Sequence, residues 1–240
     1  MMDEISIKLE KIIGEIKAGG INKIGHYDEA NTKSKIIEKI LRVLDWDGKF
    51  DLEYNVMDKG KVDYCLTIKQ KSKIFIEAKG VKHKLDDHRK QLLDYSQEEG
   101  IELAVLTNGI AWWFYLPMQG GVRSNDRRFY KIDIFEQEAK EIASKFIDFL
   151  YRENVKTGET IKIAKRVFKN SQEYKILNET LPKAWNELIS NTDDELIKLI
   201  GEATEKICGC KPSDEMVKEF LSNNTSKLLI FDNELMPIKP

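Results

Sequence analysis

The sequence is poor in cysteine. Its three, Cys65, Cys208 and Cys210, are too few and too unevenly placed for a disulfide framework, so a reducing cytoplasm is the expected setting. Cys208-Gly209-Cys210 has the look of half a metal site, but no second pair follows, and His26, His83 and His88 stand at no ligand spacing from it. It reads as a structural helix end. No apolar run approaches the roughly 18 residues that a membrane-spanning helix needs. The amino terminus carries acidic residues in an amphipathic pattern, unlike a signal peptide, so no membrane partner is expected. No GxxxxGK[ST] segment occurs, which excludes a Walker-type motor in this chain and leaves no nucleotide cofactor to expect. Internal repeats and low-complexity tracts are missing too. So is an excess of charge of one sign: 39 Lys and Arg stand against 41 Asp and Glu, a formal net charge of −2, which argues against indiscriminate binding to nucleic acid.

What is present is a chain of 240 residues, 41% apolar and 33% charged, long enough for one large or two small domains with an ample core. Its charge is unevenly spread. Between Lys59 and Lys90 ten Lys or Arg face four acids, Asp63, Glu77, Asp86 and Asp87, whereas residues 191 to 240 hold ten acids and six bases. A local positive zone on a neutral protein fits engagement of a phosphate backbone; a lysine-rich solvated surface has the same composition.

That zone contains the most informative stretch, KVDYCLTIKQKSKIFIEAKG, from Lys61 to Gly80. Two alternating runs, Val62 to Ile68 and Ile74 to Ala78, flank a polar lysine-rich segment, the pattern of a β-hairpin. Strand periodicity puts Val62, Tyr64, Leu66 and Ile68 on one face and Asp63, Cys65 and Thr67 on the other. Phe75, Glu77 and Lys79 share a face likewise. A hairpin centred on Gln70 sets Asp63 directly across from Glu77, their Cβ atoms about 5 Å apart. An even-numbered loop would shift the register and send Asp63 to the other side.

Two carboxylates and a lysine on one wall suit a divalent ion and a phosphate. Magnesium takes one or two protein carboxylates and completes its shell with water and phosphate oxygens. The ion polarises a phosphoryl oxygen and acidifies a bound water, while an ammonium orients that water or neutralises developing charge. A cross-strand salt bridge on a solvated face uses the same residues, and for a D…ExK match taken alone it is the commoner outcome.

The following sequence weighs against that. Asp86 to Glu99 reads as a helix with Gln91 and Tyr95 on one side, then come a buried-looking strand, Ile101 to Thr107, and the aromatic run IAWWFYLP. With these motifs the chain resembles the PD-(D/E)XK nuclease superfamily, and within it the amino-terminal nuclease domain of type I restriction enzyme R subunits and the related stand-alone type IV restriction endonucleases. Asp63 and Glu77-Ala78-Lys79 match the catalytic core, Gln91 and Tyr95 the QxxxY motif, and Thr107-Asn108-Gly109 and WWFYLP also look like that branch. The resemblance spans roughly residues 20 to 135; Val62 stands where the superfamily's name places a proline. It implies Asp63, Glu77, Lys79 and Gln91 as catalytic residues, Mg²⁺ held by Asp63, Glu77 and the Ala78 carbonyl, and Mn²⁺ as its substitute. It implies products with 5′-phosphate and 3′-hydroxyl ends.

Along the chain, residues 2 to 18 read as a helix stopped at Gly19-Gly20. Asp28 is the expected N-cap of a second helix, Glu29 to Leu44, with a core stripe at Ile36, Ile37, Ile40, Leu41 and Leu44. Glu29 extends that stripe and is the chosen further metal ligand, through water, with Thr32 and Lys33 beside it; Glu38 is expected to face the opposite side. A helix-start acid favoured by the macrodipole is the alternative for Glu29. Phe50 to Met57 reads as the first strand, ending at Asp58-Lys59-Gly60. Lys33, Lys82, Lys84, Tyr95 and Arg127 are the expected nucleic-acid contacts, Arg127 from a loop that also holds Gly120, Gly121, Arg123 and Arg128. The lysines also fit plain solvated bases, and Gln91 and Tyr95 a polar face and a half-buried ring. His83 as a general base is unnecessary beside Lys79. Trp112 to Tyr115 fits a strand covered on both faces better than a base-stacking platform. After Phe129 to Ile134, a last strand, only helices follow, at 136–152, 159–169, 173–190, 193–207 and 213–222, with an apolar stripe of Leu196, Leu199, Ile200, Ala203 and Ile207.

The expected fold is thus α/β: a restriction-endonuclease-like mixed central sheet flanked by helices over residues 1–135, and an all-helical extension over 136–240. The expected activity is Mg²⁺-dependent hydrolysis of DNA phosphodiesters in a restriction or defence role, alone, as a homodimer or with restriction-modification subunits. A binding or assembly module with a vestigial site, and a repair nuclease on the same fold, are the alternatives.

Overall fold

A computed structural model of the chain describes residues 2–56, 60–68, 71–120, 127–190 and 193–228. Asp58 and Lys59 of the expected turn, the hairpin tip at Gln70, and Gly121 and Arg123 of the expected arginine loop lie outside them. Two compact units divide the chain, Met1–Ser171 and Gln172–Pro240.

Among the described residues of the first unit, six strands form one sheet in chain order: β1 (Phe50–Val56), β2 (Gly60–Ile68), β3 (Lys71–Ala78), β4 (Leu103–Thr107), β5 (Ala111–Tyr115) and β6 (Arg128–Asp133). Neighbours are antiparallel except β3 and β4, which run parallel. Helix α4 (Arg89–Glu98) lies in the connection between those two, and a parallel step needs such a crossover. The mixed sheet, the flanking helices and the helical carboxyl-terminal part are the expected fold class.

Each face of the sheet has its own core. On one, Tyr64, Leu66, Ile74, Ile76, Val105, Trp112 and Phe114 pack with α1 (Met2–Ile24), α3 (Glu38–Val43) and α5 (Ala139–Leu150). On the other, Cys65, Phe75, Ala104, Leu106 and Tyr115 pack with Leu92 and Leu93 of α4. All five residues of β4 are buried, which explains a run with no polar alternation. The aromatic run is core as expected: Trp112, Phe114 and Tyr115 are buried and Trp113 half-buried.

Helix α1 is interrupted where Gly20 adopts φ 66° and ψ 164°, the stop read from the sequence, with one further turn beyond it. The second helix begins on Asp28 as expected, its carboxylate accepting from Asn31 N. It is not uniform: α2 (Glu29–Thr32) passes into a π-turn, Lys33–Ile37, before α3. The π-turn takes up an extra residue, and Glu38 is turned toward the sheet, accepting from Tyr64 Oη at 3.4 Å. A uniform 3.6-residue count had placed it on the opposite side.

The all-helical part starts inside the first unit. Ile142, Ala143, Phe146, Phe149 and Leu150 of α5 are buried in the larger core, with Phe146 edge-on to Trp112 at 4.9 Å. The unit boundary therefore falls at Ser171/Gln172 instead of 135/136, because the sheet face needs α5 as its cover. Trp46 fastens this arrangement by donating from Nε1 to Leu150 O at 2.6 Å in the interior. Trp46→Phe leaves that carbonyl unpaired and is expected to cost about 1–3 kcal/mol in chemical denaturation; an unchanged midpoint would show the bond to be dispensable.

Helix α6 (Arg152–Thr157) follows, and α7 (Glu159–Ser190) runs unbroken through the interruption expected near residue 170. In the second unit, Ile189, Ile197 of α8 (Asp194–Cys208), and Val217 and Leu221 of α9 (Asp214–Leu228) form a small core, with Trp185, Leu196 and Ile200 against it. Leu199 and Ile207, expected in the stripe, are 63% and 87% exposed. The helix turns its Ile197 and Gly201 side inward instead.

Candidate active site

The carboxyl ends of β3 and β4, the middle of β2 and the start of α2 meet at one cluster of charge. On β2 and β3 the register is set by a bulge. Near the tip, Ile68 pairs with Lys71 and Thr67 with Ser72, an even connection that alone would send Asp63 to the wrong face; between Leu66 and Thr67 the register shifts, and Leu66, Cys65 and Tyr64 pair with Ile74, Phe75 and Ile76. One more step along that register sets Asp63 opposite Glu77. The ladder ends there, and Ala78 N donates to Asp63 Oδ2 at 2.6 Å where a backbone carbonyl would otherwise accept.

The opposite neighbour of Asp63 is also irregular. Leu52 pairs with Tyr64 and Tyr54 with Val62, while Glu53, between them, has φ 51°. A left-handed residue breaks the pleat, and the ribbon changes face across it. Phe50 and Tyr64 join the larger core, whereas Tyr54, Val56 and Val62 join the core under α4. Val62 thus lies on the face opposite to that expected, and Asp63 occupies the point of reversal.

Helix α2 is seated on this sheet end by two loops. Lys79 N donates to Thr107 O at 2.8 Å, and Val81 N to Tyr27 O at 3.2 Å. Asn108 Nδ2 donates to Val81 O at 3.1 Å. Gly109, at φ 83°, lies so close to the helix that a Cβ there would stand 2.8 Å from Thr32 Cγ2. Glu29, Thr32 and Lys33 are positioned by this clasp, and Thr32 is fully buried.

The charges interleave. Lys79 Nζ lies 2.7 Å from Glu77 and 3.6 Å from Glu29. Lys33 Nζ lies 3.1 Å from Glu29, 3.4 Å from Glu53 and in direct contact with Asp63. Asp63 and Glu77 are 8% and 9% exposed, so these interactions act in a low dielectric. Glu77 holds its proton more tightly than an ordinary glutamate, first because it is buried and then because Asp63 is charged nearby, with Lys79 opposing both. Burial would lower Lys33 and Lys79, but Asp63 and Glu29 outweigh it at Lys33, Glu77 outweighs it at Lys79, and both ammonium groups are raised. Burial likewise pushes Glu29 up, and Lys33 and Lys79 together bring it below the usual range.

Asp63, Glu77, Ala78, Lys79, Glu29 and Lys33 are therefore brought together, Lys33 inside the cluster and only 18% exposed. Lys82 and Lys84 are exposed on the loop that follows Lys79. Gln91 is exposed and donates to Tyr95 Oη at 3.1 Å, and Tyr95 abuts Gly60, where a Cβ would meet its hydroxyl at 2.2 Å. Arg127 is elsewhere. Glu77 is level with Leu106, Trp113 and Lys131 across the sheet. Arg127 is thus removed from it by about three strand spacings of 4.8 Å and about four residues of 3.3 Å. Antiparallel pairing carries the start of β6 to the opposite end of the sheet. Sequence reasoning missed Glu53, whose backbone leaves no trace in a weakly alternating strand. It also missed His88, whose ring centroid lies 6.1 Å from that of His83 and whose pKa is lowered by burial, then by Lys79 and His83.

Asp63, Glu77 and Glu29 bring only oxygen atoms to the cluster, the atom type that hard divalent ions prefer. Glu77 among them has its pKa held above the ordinary range chiefly by burial and then by Asp63, in spite of Lys79. Among the described residues, no three acidic, histidine or cysteine side chains stand at mutual metal-binding distance; here ammonium groups lie between the carboxylates. Among those residues, too, no helix is long and apolar enough to cross a membrane.

No protein-family model matches this chain, and no curated protein matches it. Among solved structures it is similar to a chain in the cryoEM structure of a DrdV–DNA complex, at 15% identity and a TM-score of 0.39. The alignment covers 97% of this chain and 22% of that one. So loose a likeness does not bear on the site.

Proposed function

We propose that this protein is a metal-dependent DNA endonuclease of the PD-(D/E)XK kind, resembling type I R-subunit nuclease domains and type IV enzymes, with a restriction or defence role. The observation that carries the reading is the convergence of Asp63, Glu77 and Lys79, with Glu29 from α2, at one sheet end. Asp63, Glu77 and the Ala78 carbonyl would hold Mg²⁺, or Mn²⁺ in its place, with Glu29 joining through water. When bound, the ion supplies Lewis acidity at a phosphoryl oxygen and a lowered pKa for a water. Lys79, held on Glu77, would orient an attacking water toward phosphorus and offset charge on the phosphoryl oxygens. Exposed Lys82 and Lys84 hold the DNA backbone in register beside it. Gln91, steadied by Tyr95, closes the phosphate side from α4.

Plasmid cleavage with Mg²⁺ tests this. Lys79→Ala is expected to lower the rate about 10²- to 10³-fold, the loss typical of one removed transition-state donor, and Asp63→Ala to remove cleavage. Equal residual activity in wild type and both variants would overturn these roles. The lysines that already pair with the carboxylates favour a second reading, a DNA-binding or assembly module. Binding without turnover in Mg²⁺ and Mn²⁺, on methylated and unmethylated DNA, would select it, and preference for branched DNA would select a repair nuclease.

A further inference from the structure

Lys33 has no part in the chemistry just described, yet it sits closest to its centre. Its ammonium contacts carboxylates from three elements, Glu29 of α2, Glu53 of β1 and Asp63 of β2. The second oxygen of Asp63 is taken by Ala78 N, and the second oxygen of Glu29 lies toward Lys79. One oxygen of each acid thus faces the Lys33 ammonium, which lies between them. Glu29, Glu53, Asp63 and Glu77 carry four negative charges against two positive ones on Lys33 and Lys79. The cluster therefore keeps an excess of negative charge while the Lys33 ammonium stands between two of its acids. An ion shared by Asp63 and Glu29 requires that ammonium to withdraw.

Of the two lysines, Lys33 is the one that stands between Asp63 and Glu29, where a shared ion would sit. Lys79 is tied to a strand end and paired at 2.7 Å with Glu77. Lys33 opens the π-turn, and its side chain keeps 18% of its surface open to an arriving phosphate. A phosphate oxyanion arriving there is a better partner for it than carboxylates that a dication can take over.

We infer that Lys33 is an exchangeable counter-cation that occupies Asp63 and Glu29 until a DNA phosphate draws it away, so that DNA and the divalent ion bind cooperatively. This rests on the nuclease reading. It makes Lys33 a positioning residue that keeps the site closed to metal in the absence of DNA.

Calorimetric titration of the full chain with Mg²⁺, alone and with a short cleavage-resistant phosphorothioate duplex, tests it. In wild type the duplex is expected to tighten Mg²⁺ binding roughly tenfold, within the usual range of couplings between sites. Lys33→Met and Lys33→Gln are expected to bind Mg²⁺ alone roughly tenfold more tightly than wild type, with less than about a twofold gain from the duplex. Thermal unfolding adds a readout independent of DNA: both variants should melt lower in chelator and gain more from Mg²⁺ than wild type does. If the variants bind Mg²⁺ no more tightly than wild type while Asp63→Asn still abolishes binding, the counter-cation role falls and the nuclease reading stands. If no form binds Mg²⁺ with or without duplex, both fall.

Discussion

Glu77→Gln is expected to lose DNA cleavage by at least about 10³-fold, as removal of an electrostatic mainstay of a phosphoryl-transfer site does, and yet to melt at a higher temperature than wild type at neutral pH. Glu77 is buried beside Asp63, and its pKa is raised by both. A carboxyl whose folded pKa exceeds its ordinary value of 4.5 destabilises the fold once ionised. Stability is lost as pH rises from the ordinary value through the folded one, and regained on acidification. The raised pKa already includes the attraction of Lys79, so the neutral amide removes a net penalty, and the advantage of Glu77→Gln over wild type should shrink as pH falls toward 4.5. Asp63→Asn should abolish cleavage as well but with the opposite sign in stability. It takes away the direct partner of Lys33 and leaves a half-buried ammonium to Glu29 and Glu53, at a cost of about 1–3 kcal/mol. Two variants equal in activity and opposite in melting shift are the signature of this site. If both melt lower by the same amount, the pairing drawn here is wrong.

Gly109→Ala is the second variant expected to have a large effect, although Gly109 touches no reacting group. At φ 83° any side chain is strained, by about 1–3 kcal/mol. The new Cβ would also stand 2.8 Å from Thr32 Cγ2 and 3.1 Å from Ile36 Cδ1, an overpacking cost of about 1–3 kcal/mol more. Relief requires α2 and the π-turn after it to move off the β4–β5 turn, and together they carry Glu29 and Lys33. Cleavage should therefore fall together with stability. Gly100→Ala is the control: its φ is 64° and nothing lies within 4 Å of its Cβ, so it should show the backbone cost alone and keep its cleavage. Matching losses in the two glycine variants would mean that the clasp on α2 is not what aligns the site.

Much of the candidate site was legible because its parts are local. Asp63, Glu77 and Lys79 belong to one hairpin, where strand period and facing register almost dictate who meets whom, and Glu29 follows a recognisable N-cap, Asp28. A loop centred on Gln70 would face Asp63 to Glu77 directly; instead Ile68 pairs with Lys71, and the bulge between Leu66 and Thr67 restores that register. Arg127 shows the opposite case. Basic composition placed it near the phosphate, whereas the direction of β6 puts it at the far end of the sheet.

Composition and hydrophobic period by themselves determined the succession of strands and helices, the parallel step across α4, the burial of the aromatic run and the hairpin that brings two acids and a lysine together. These depend on interactions between residues near in sequence, or on which side of an element is apolar. Tertiary structure alone decided the reversal of face at Glu53 and Asp63, the π-turn that swings Glu38 toward Tyr64, the membership of α5 in the first unit, and the seat of Lys33 among three carboxylates. Each of these follows from how distant segments divide one buried surface and share one set of charges, and no local pattern encodes such a division.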